Sequence, residues 1–307
     1  MKRTIPILCC LAAVLLLAGC HEENGPKRNS AYYWSTTFRL DSTQLDFIAR
    51  HHVERIYLRY FDVVIDPDGQ LMPNATVRFE SPRPKGVEIV PTIFIMNNCL
   101  QLDVSQLDSL ILQRVVQMCE THDIDSVKEL QIDCDWTQRS RKTYFALLER
   151  LHERAARQGL RLSATIRLHQ LAETPPPVDR GVLMMYNTGD VTDRHHNPIL
   201  EMETIKPYLR HLSSYRLPLS AAYPAFSWDL LFRGDRFVGV VHSADEYPIL
   251  PTDTILHRIA EPSTVMEAKE AVGRLAPHAN DEIILYEISN TNMANIKKHS
   301  YEKIYHP

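Results

Sequence analysis

Short apolar runs alternate with amphipathic stretches along most of this chain, the rhythm of a parallel sheet built from βα units. Eight runs read as strands: Tyr32–Phe38, Arg55–Val63, Glu88–Met96, Glu129–Trp136, Leu160–Leu168, Val182–Asn187, Pro218–Tyr223 and Glu282–Ile288. The helices between them carry start and stop signals. Ser140 opens a stretch that sets Tyr144, Leu147, Leu148, Leu151 and Ala155 on one face, and Gly159 ends it. Thr264 and Glu267 have capping-box spacing around Val265, ahead of Ala268, Val272 and Leu275, and Ser105 is placed to cap a helix bearing Leu107, Ile111 and Val115. Eight strands fit a single closed (β/α)8 TIM barrel with loop insertions, although an open doubly wound sheet shares the rhythm. Two stretches break the pattern. Residues 66–85 are polar and proline-rich and read as connecting loop, while residues 225–259 contain an additional apolar strand, Phe237–Val241.

The first 20 residues follow a different grammar. Lys2 and Arg3 precede a short apolar run, Ile5 to Leu17, and Leu17-Ala18-Gly19-Cys20 follows. This resembles a bacterial lipoprotein signal ending in a lipobox, with Cys20 as the lipidated residue of the mature chain. The run falls short of the roughly 20 apolar residues of a membrane-spanning helix. The resemblance implies a lipid bilayer as partner through the acyl chains on Cys20, which anchor firmly where one chain does not. His21 in place of Asp after the cysteine implies a cell-envelope location at the outer membrane. Glu22-Glu23 is similar to a short surface-display signal and equally reads as plain solvated chain. Residues 21–30, with Gly25-Pro26, read as a flexible tether, leaving 31–307 for the barrel.

Composition narrows the function. Removing residues 1–20 from the 307 leaves 287, enough for one large core. Lys and Arg number 34 and Asp and Glu 38, and two of the cations lie in the leader, so the rest carries a formal charge of −6 with histidines neutral. With no basic patch there is no electrostatic basis for nucleic-acid binding. Three of the six cysteines lie in residues 1–20; Cys99, Cys119 and Cys134 remain, an odd set at wide spacing, with Cys99–Cys119 the one bridge worth considering. No CxxC pair is present, and the loop Asp190-Val191-Thr192-Asp193-Arg194-His195-His196 has metal-capable groups without ligand spacing, so no metal or other cofactor is expected.

In a barrel of this kind the chemistry lies at the C-terminal ends of the strands. The fourth strand ends Asp133-Cys134-Asp135-Trp136-Thr137; with a side-chain period of two, Asp133, Asp135 and Thr137 share the lumen face. Two carboxylates that close require a cation or hydrogen bonds, and Arg167 and His169, alternating with Ser163 and Thr165 on the next strand, place Arg167 within reach. A buried Asp–Arg network that merely fills the lumen is the structural alternative. Trp34, Tyr60, Tyr186, Tyr223, Trp228 and Tyr286 stand at or after strand ends, where rings stack on sugars or simply pack. Glu287 and Asp62 are further rim carboxylates, and His242 follows the additional strand.

The Asp133-x-Asp135-Trp136 strand end, the helix with Phe145-Ala146-Leu147-Leu148, the strand Leu162-Ser163-Ala164-Thr165 and the segment Met184-Met185-Tyr186-Asn187 together resemble family 18 glycoside hydrolases, the chitinases and endo-N-acetylglucosaminidases. The likeness covers about residues 129–187. The chain also resembles bacterial lipoproteins that carry barrel domains. The glycosidase resemblance implies an oligosaccharide or polysaccharide ligand, Asp133, Asp135 and Tyr186 as catalytic residues, and Arg167, Asn187, Thr137, Trp34, Tyr223, Trp228 and Glu287 around the sugar. It also exposes two departures: Thr137 stands where the family has its general-acid Glu, and Asn187 where it has Asp. A missing general acid typically costs about 10²–10⁴-fold in rate. Three readings stay open: a hydrolase whose acid comes from elsewhere, with Glu287 or Asp62 eligible; a glycan-binding lipoprotein without turnover; and an envelope scaffold.

Overall fold

The computed structural model describes residues 28–241 and 246–306. The leader, the Cys20 anchor, most of the tether and His242 lie outside the described residues. Eight strands, β1 (Arg28–Tyr33), β2 (Val53–Ile65), β3 (Glu88–Ile95), β4 (Glu129–Asp133), β5 (Arg161–Ile166), β6 (Arg180–Met184), β7 (Leu219–Pro224) and β8 (Glu282–Tyr286), stand side by side in chain order. Each is parallel to the next, and β1 pairs with both β8 and β2, so the sheet closes on itself. The expected TIM barrel is therefore present, and an open sheet is excluded. The barrel begins earlier than the tether boundary implied, because Arg28, Asn29 and Ser30 already pair with Glu282, Ile283 and Ile284.

The outer layer holds α1 (Ser42–Arg50), α2 (Leu107–Thr121), α3 (Arg141–Arg157), α4 (Met202–Leu209), α5 (Pro262–Leu275) and α6 (Met293–His299). Helix α3 buries Tyr144, Leu147, Leu148, Leu151 and Ala155, the face its spacing predicts, and Gly159 follows it at φ 72°, a left-handed conformation that glycine adopts without a Cβ clash. Two expected caps are not used. Helix α2 starts after Gln106, and α5 starts three residues earlier than expected, with Pro262 in its first turn behind Glu261. Proline at a helix start loses no hydrogen bond, which outweighs the Thr264 signal. A capping box does form at α1, where Asp41 accepts from Thr43 and Gln44 and the Gln44 side chain answers to the Asp41 N–H.

The two irregular stretches are more ordered than their composition suggested. Within residues 66–85, Leu71–Asn74 turns back antiparallel on β2 and Arg78–Phe79 pairs with Thr37–Phe38. Between β7 and α5 an antiparallel sheet of three strands, Ser227–Arg233, Arg236–Val241 and Asp253–Ile259, is inserted at the C-terminal end of the barrel.

The lumen is filled with polar side chains in layers. At the N-terminal end Arg180 meets Glu282 at 2.6 Å, Glu129 at 2.9 Å and Ser220 at 2.6 Å, and also donates to the Tyr57 hydroxyl. Arg55 reaches Glu88 at 3.0 Å and both Glu129 and Glu282 at 3.4 Å. Burial pushes the Glu282 carboxyl up, but Arg180 and Arg55 outweigh it and hold it at about 2, against an ordinary 4.5. Above this, the Tyr32 and Thr92 hydroxyls donate to Gln131. Conserving the charge balance inside requires that these ion pairs stay complete, since a buried charge without a partner is strongly destabilising.

Candidate functional site

The C-terminal mouth encloses a cavity of about 200 Å³ lined by Tyr32, Trp34, Arg59, Phe94, Asp133, Thr165, Arg167, Met184, Tyr186, Asn187 and Tyr286. Larger grooves exist on the outside, one of about 580 Å³ between residues 69–73 and α2. The mouth is nonetheless the candidate, because it lies where strand ends converge polar groups on one space.

Asp133, the last residue of β4, is buried and projects into this cavity. Its Oδ1 accepts from the Thr165 hydroxyl at 2.6 Å and forms an ion pair with Arg167 Nη2 at 3.0 Å. Burial alone pulls the Arg167 guanidinium down, but Asp133 and then Asp135 outweigh it, so the group is held firmly protonated. The expected Asp–Arg pairing is therefore present. Asp135 stands apart from it. Strand β4 ends at Asp133, so the period of two no longer governs the next residues; the Asp135 side chain is 61% exposed at the rim, 3.9 Å from both Arg167 Nε and His169 Nε2. His169 leaves the predicted strand for the same reason, sitting in the short helical turn Leu168–Ala172 that follows β5.

Thr137 does not enter the mouth. It lies in the turn before α3, where its N–H is bound by Ser140 Oγ at 3.0 Å, and it lines a separate groove with Asn97, Gln101 and Arg139. Cys134 and Trp136 are buried, and Trp136 packs against α3, 6.2 Å from Tyr144 and 5.3 Å from Phe145.

Tyr186 is 2% exposed and its ring stacks on Tyr286, centroids 4.5 Å apart and 24° between planes. Tyr32 packs 5.4 Å from Tyr286, and Trp34 lies 6.0 Å from it, completing an aromatic lining. Burial, together with the neighbouring Tyr32 and Tyr286 phenols, pushes the Tyr186 hydroxyl well up, so it is a neutral donor at physiological pH. The Tyr186 hydroxyl and Arg167 Nη1 are both buried without a hydrogen-bond partner. Buried polar groups are usually satisfied, so both donors are free to take an acceptor from water or a ligand in this cavity. Asn187 also lines the cavity, exposed and in the left-handed region at φ 54°.

The other expected sugar contacts divide. Tyr223 faces outward, its hydroxyl donating to Asn280 at 2.8 Å beyond α5. Tyr60 also points outward, edge-on to Phe79 and 3.5 Å from Cys119 Sγ on α2. A register shift between Arg59 and Phe61 leaves Tyr60 and Phe61 both outward and turns Asp62 to the mouth, while Arg59 faces in with Arg55 and Tyr57 by plain alternation. Arg59 forms a two-point pair with Asp62, with its guanidinium 5.5 Å from the Trp34 ring. Sequence reasoning missed Arg59, Phe94 and Tyr32: alternation sets the direction of each, but only the closed register brings them to one space. Trp228 lies on the inserted sheet, 5.3 Å from Phe226, which in turn meets Tyr186 at 6.1 Å. Glu287 stands just behind the lining. Its carboxylate accepts from the Trp34 N–H at 2.8 Å, Ser289 Oγ at 2.9 Å and Asn292 at 3.2 Å, while burial pushes it up against the pull of those donors. The three cysteines described are unpaired, so the Cys99–Cys119 bridge does not form. Among the described residues no His/Cys/Asp/Glu group is arranged to hold a metal, and no helix is long and apolar enough to cross a membrane.

Fold and site together define a closed (β/α)8 barrel with a small, aromatic-lined polar pocket at the C-terminal ends of its strands. No protein-family model matches the chain, and no curated protein matches it in sequence. Solved structures match it in fold. The spore cortex-lytic enzyme SleL of Bacillus cereus superposes with a TM-score of 0.55 at 15% identity, over 90% of this chain and 74% of that one. The chitinase of Chromobacterium violaceum ATCC 12472 gives 0.54 at 11% identity, over 89% and 98%. The Ostrinia furnacalis Group IV chitinase, in complex with allosamidin, gives the same 0.54 and 11%, again over 89% and 98%. At such identities the likeness is one of fold.

Proposed function

We propose that this protein is a lipid-anchored envelope protein whose barrel mouth binds N-acetylated or related glycans without hydrolysing them. The observation that carries the reading is the pair of buried, partnerless donors, the Tyr186 hydroxyl and Arg167 Nη1, in an aromatic-lined cavity. A sugar fits this chemistry: its ring faces pack on aromatics, and an amide or hydroxyl oxygen supplies the acceptor the donors lack. Structural relatives include chitinases, one of them in complex with allosamidin, which agrees with a glycan ligand. The absence of turnover rests on three placements. Thr137 lies outside the mouth, Asp135 is solvated at the rim, and Asp133 is held by Arg167 and Thr165.

Calorimetric titration of the purified barrel with N-acetylglucosamine and its β-1,4 oligomers tests this. Binding weakened about tenfold by Tyr186→Phe is expected, the loss of one buried hydrogen bond, with no reducing ends released over hours. Absence of any binding across a broad glycan panel overturns it. A hydrolytic reading has one observation in its favour, the upward-shifted carboxyl of Glu287 beside the cavity. Reducing-end release that disappears in Glu287→Gln would establish it. The anchor is tested separately, by metabolic labelling with a palmitate analogue that Cys20→Ser abolishes.

A further inference from the structure

The mouth cavity is small and walled unevenly. Its volume of about 200 Å³ is below the roughly 300–1,000 Å³ of pockets that enclose a drug-sized ligand, the scale of one sugar ring rather than of an oligosaccharide. One half of the rim is built up. On the β2 side, the Arg59–Asp62 pair and Trp34 are backed by Leu71–Asn74, which pairs with β2 as far as Asp62. On the β8 side, Glu287 ties down the Trp34 backbone. On the β7 side, Phe226 and Trp228 lead into the inserted sheet.

That sheet is braced against the segment after β6. Arg194 donates to Gly234 O at 3.0 Å, reaches Asp235 at 3.2 Å and lies 5.1 Å over Phe232. Its own carbonyl accepts from Arg258, and Asn197 donates to Ile259 O at 2.6 Å. These contacts tie the rim at β7 to the segment after β6, and Glu287 and the Arg59–Asp62 pair build it up at β8 and β2. Between β4 and β6 the strand ends themselves carry the exposed Asp135, His169 and Asn187.

A sugar within a chain has neighbours on two sides, and both must leave the pocket. A terminal sugar has one. We infer that the mouth takes the end of a glycan chain, one terminal sugar inserted from the β4–β6 side, rather than a stretch of its interior. This rests on the glycan reading above and adds the mode of binding. An interior-binding cleft gains affinity with each subsite filled, whereas an end-binding pocket does not.

Calorimetry across β-1,4-linked N-acetylglucosamine oligomers from the monomer to the pentamer separates the two. Affinity that stays within about threefold from dimer to pentamer, less than 1 kcal/mol, is expected. A rise of about tenfold or more over that range overturns the end-binding mode while leaving the glycan reading intact. The polymer gives an independent readout. Fragmenting a fixed mass of it multiplies chain ends, so the amount of protein bound should rise in proportion; capacity that follows mass alone contradicts the inference. Failure of every oligomer to bind overturns the glycan reading itself, a distinct outcome.

Discussion

Arg180→Met removes the centre of the ion network at the closed end of the barrel. Arg180 contacts Glu129 at 2.9 Å and Glu282 at 2.6 Å, and Glu129 and Glu282 are both buried. Arg55 remains, at 3.4 Å from each, and it is shared with Glu88. Deleting one partner of a buried pair costs about 3–5 kcal/mol, which in a domain of this size corresponds to a fall in Tm of about 10 °C. The pH dependence gives a sharper signature. Glu282 sits at about 2 in the folded protein against an ordinary 4.5, a depression worth about 3 kcal/mol. A depressed carboxyl contributes stability above the unfolded value, and that contribution is lost as pH falls from about 4.5 towards 2. With the main cation gone, burial dominates and Glu282 shifts upward, so the variant has no such stability to lose. Urea unfolding at pH 7 and pH 4 should therefore show a gap between the two proteins that narrows at the lower pH. A gap below 1 kcal/mol at pH 7, or one of equal size at both, would refute the assignment of Arg180 as the group that stabilises the buried carboxylates.

Other placements are tested as directly. Thr137→Glu restores the residue type of the resembling family at that position, yet it should confer no reducing-end release, because residue 137 lines the groove with Asn97 and Arg139 and not the mouth. Asp133→Asn should weaken glycan binding by about tenfold or more through loss of the Arg167 pair, whereas Asp135→Asn, solvent-screened at 61% exposure, should change it by less than about threefold in the same titration. Tyr223→Phe should cost about 1 kcal/mol of stability for the lost bond to Asn280, read by urea unfolding, and leave glycan affinity unchanged.

Much of this architecture was legible from local pattern. Eight apolar runs and the α3 face at Tyr144, Leu147, Leu148, Leu151 and Ala155 needed only periodicity, because burial of one face is a repeating constraint along the chain. Asp133, the last residue of β4, was legible for the same reason; Arg167 and Tyr186, one and two residues past β5 and β6, keep the direction of their strands into the mouth. Asp135, Thr137 and His169 do not, because the backbone has already turned towards α3 or into the helical turn Leu168–Ala172. A bulge that only pairing with β3 reveals left Tyr60 and Phe61 both outward and brought Asp62 inward.

What the sequence by itself determined, then, is the succession of strands and helices and the polar character of several lumen positions. Tertiary structure alone decided that the sheet closes, because closure depends on β1 pairing with both β2 and β8 across more than 200 residues of chain. It also decided the contents of the mouth. Arg59 from β2, Asp133 from β4, Arg167 after β5, Tyr186 after β6 and Tyr286 from β8 share one small space only through the register and tilt of a closed sheet. No spacing along the chain encodes those distances, since each is set by the sum of strand offsets around the whole barrel.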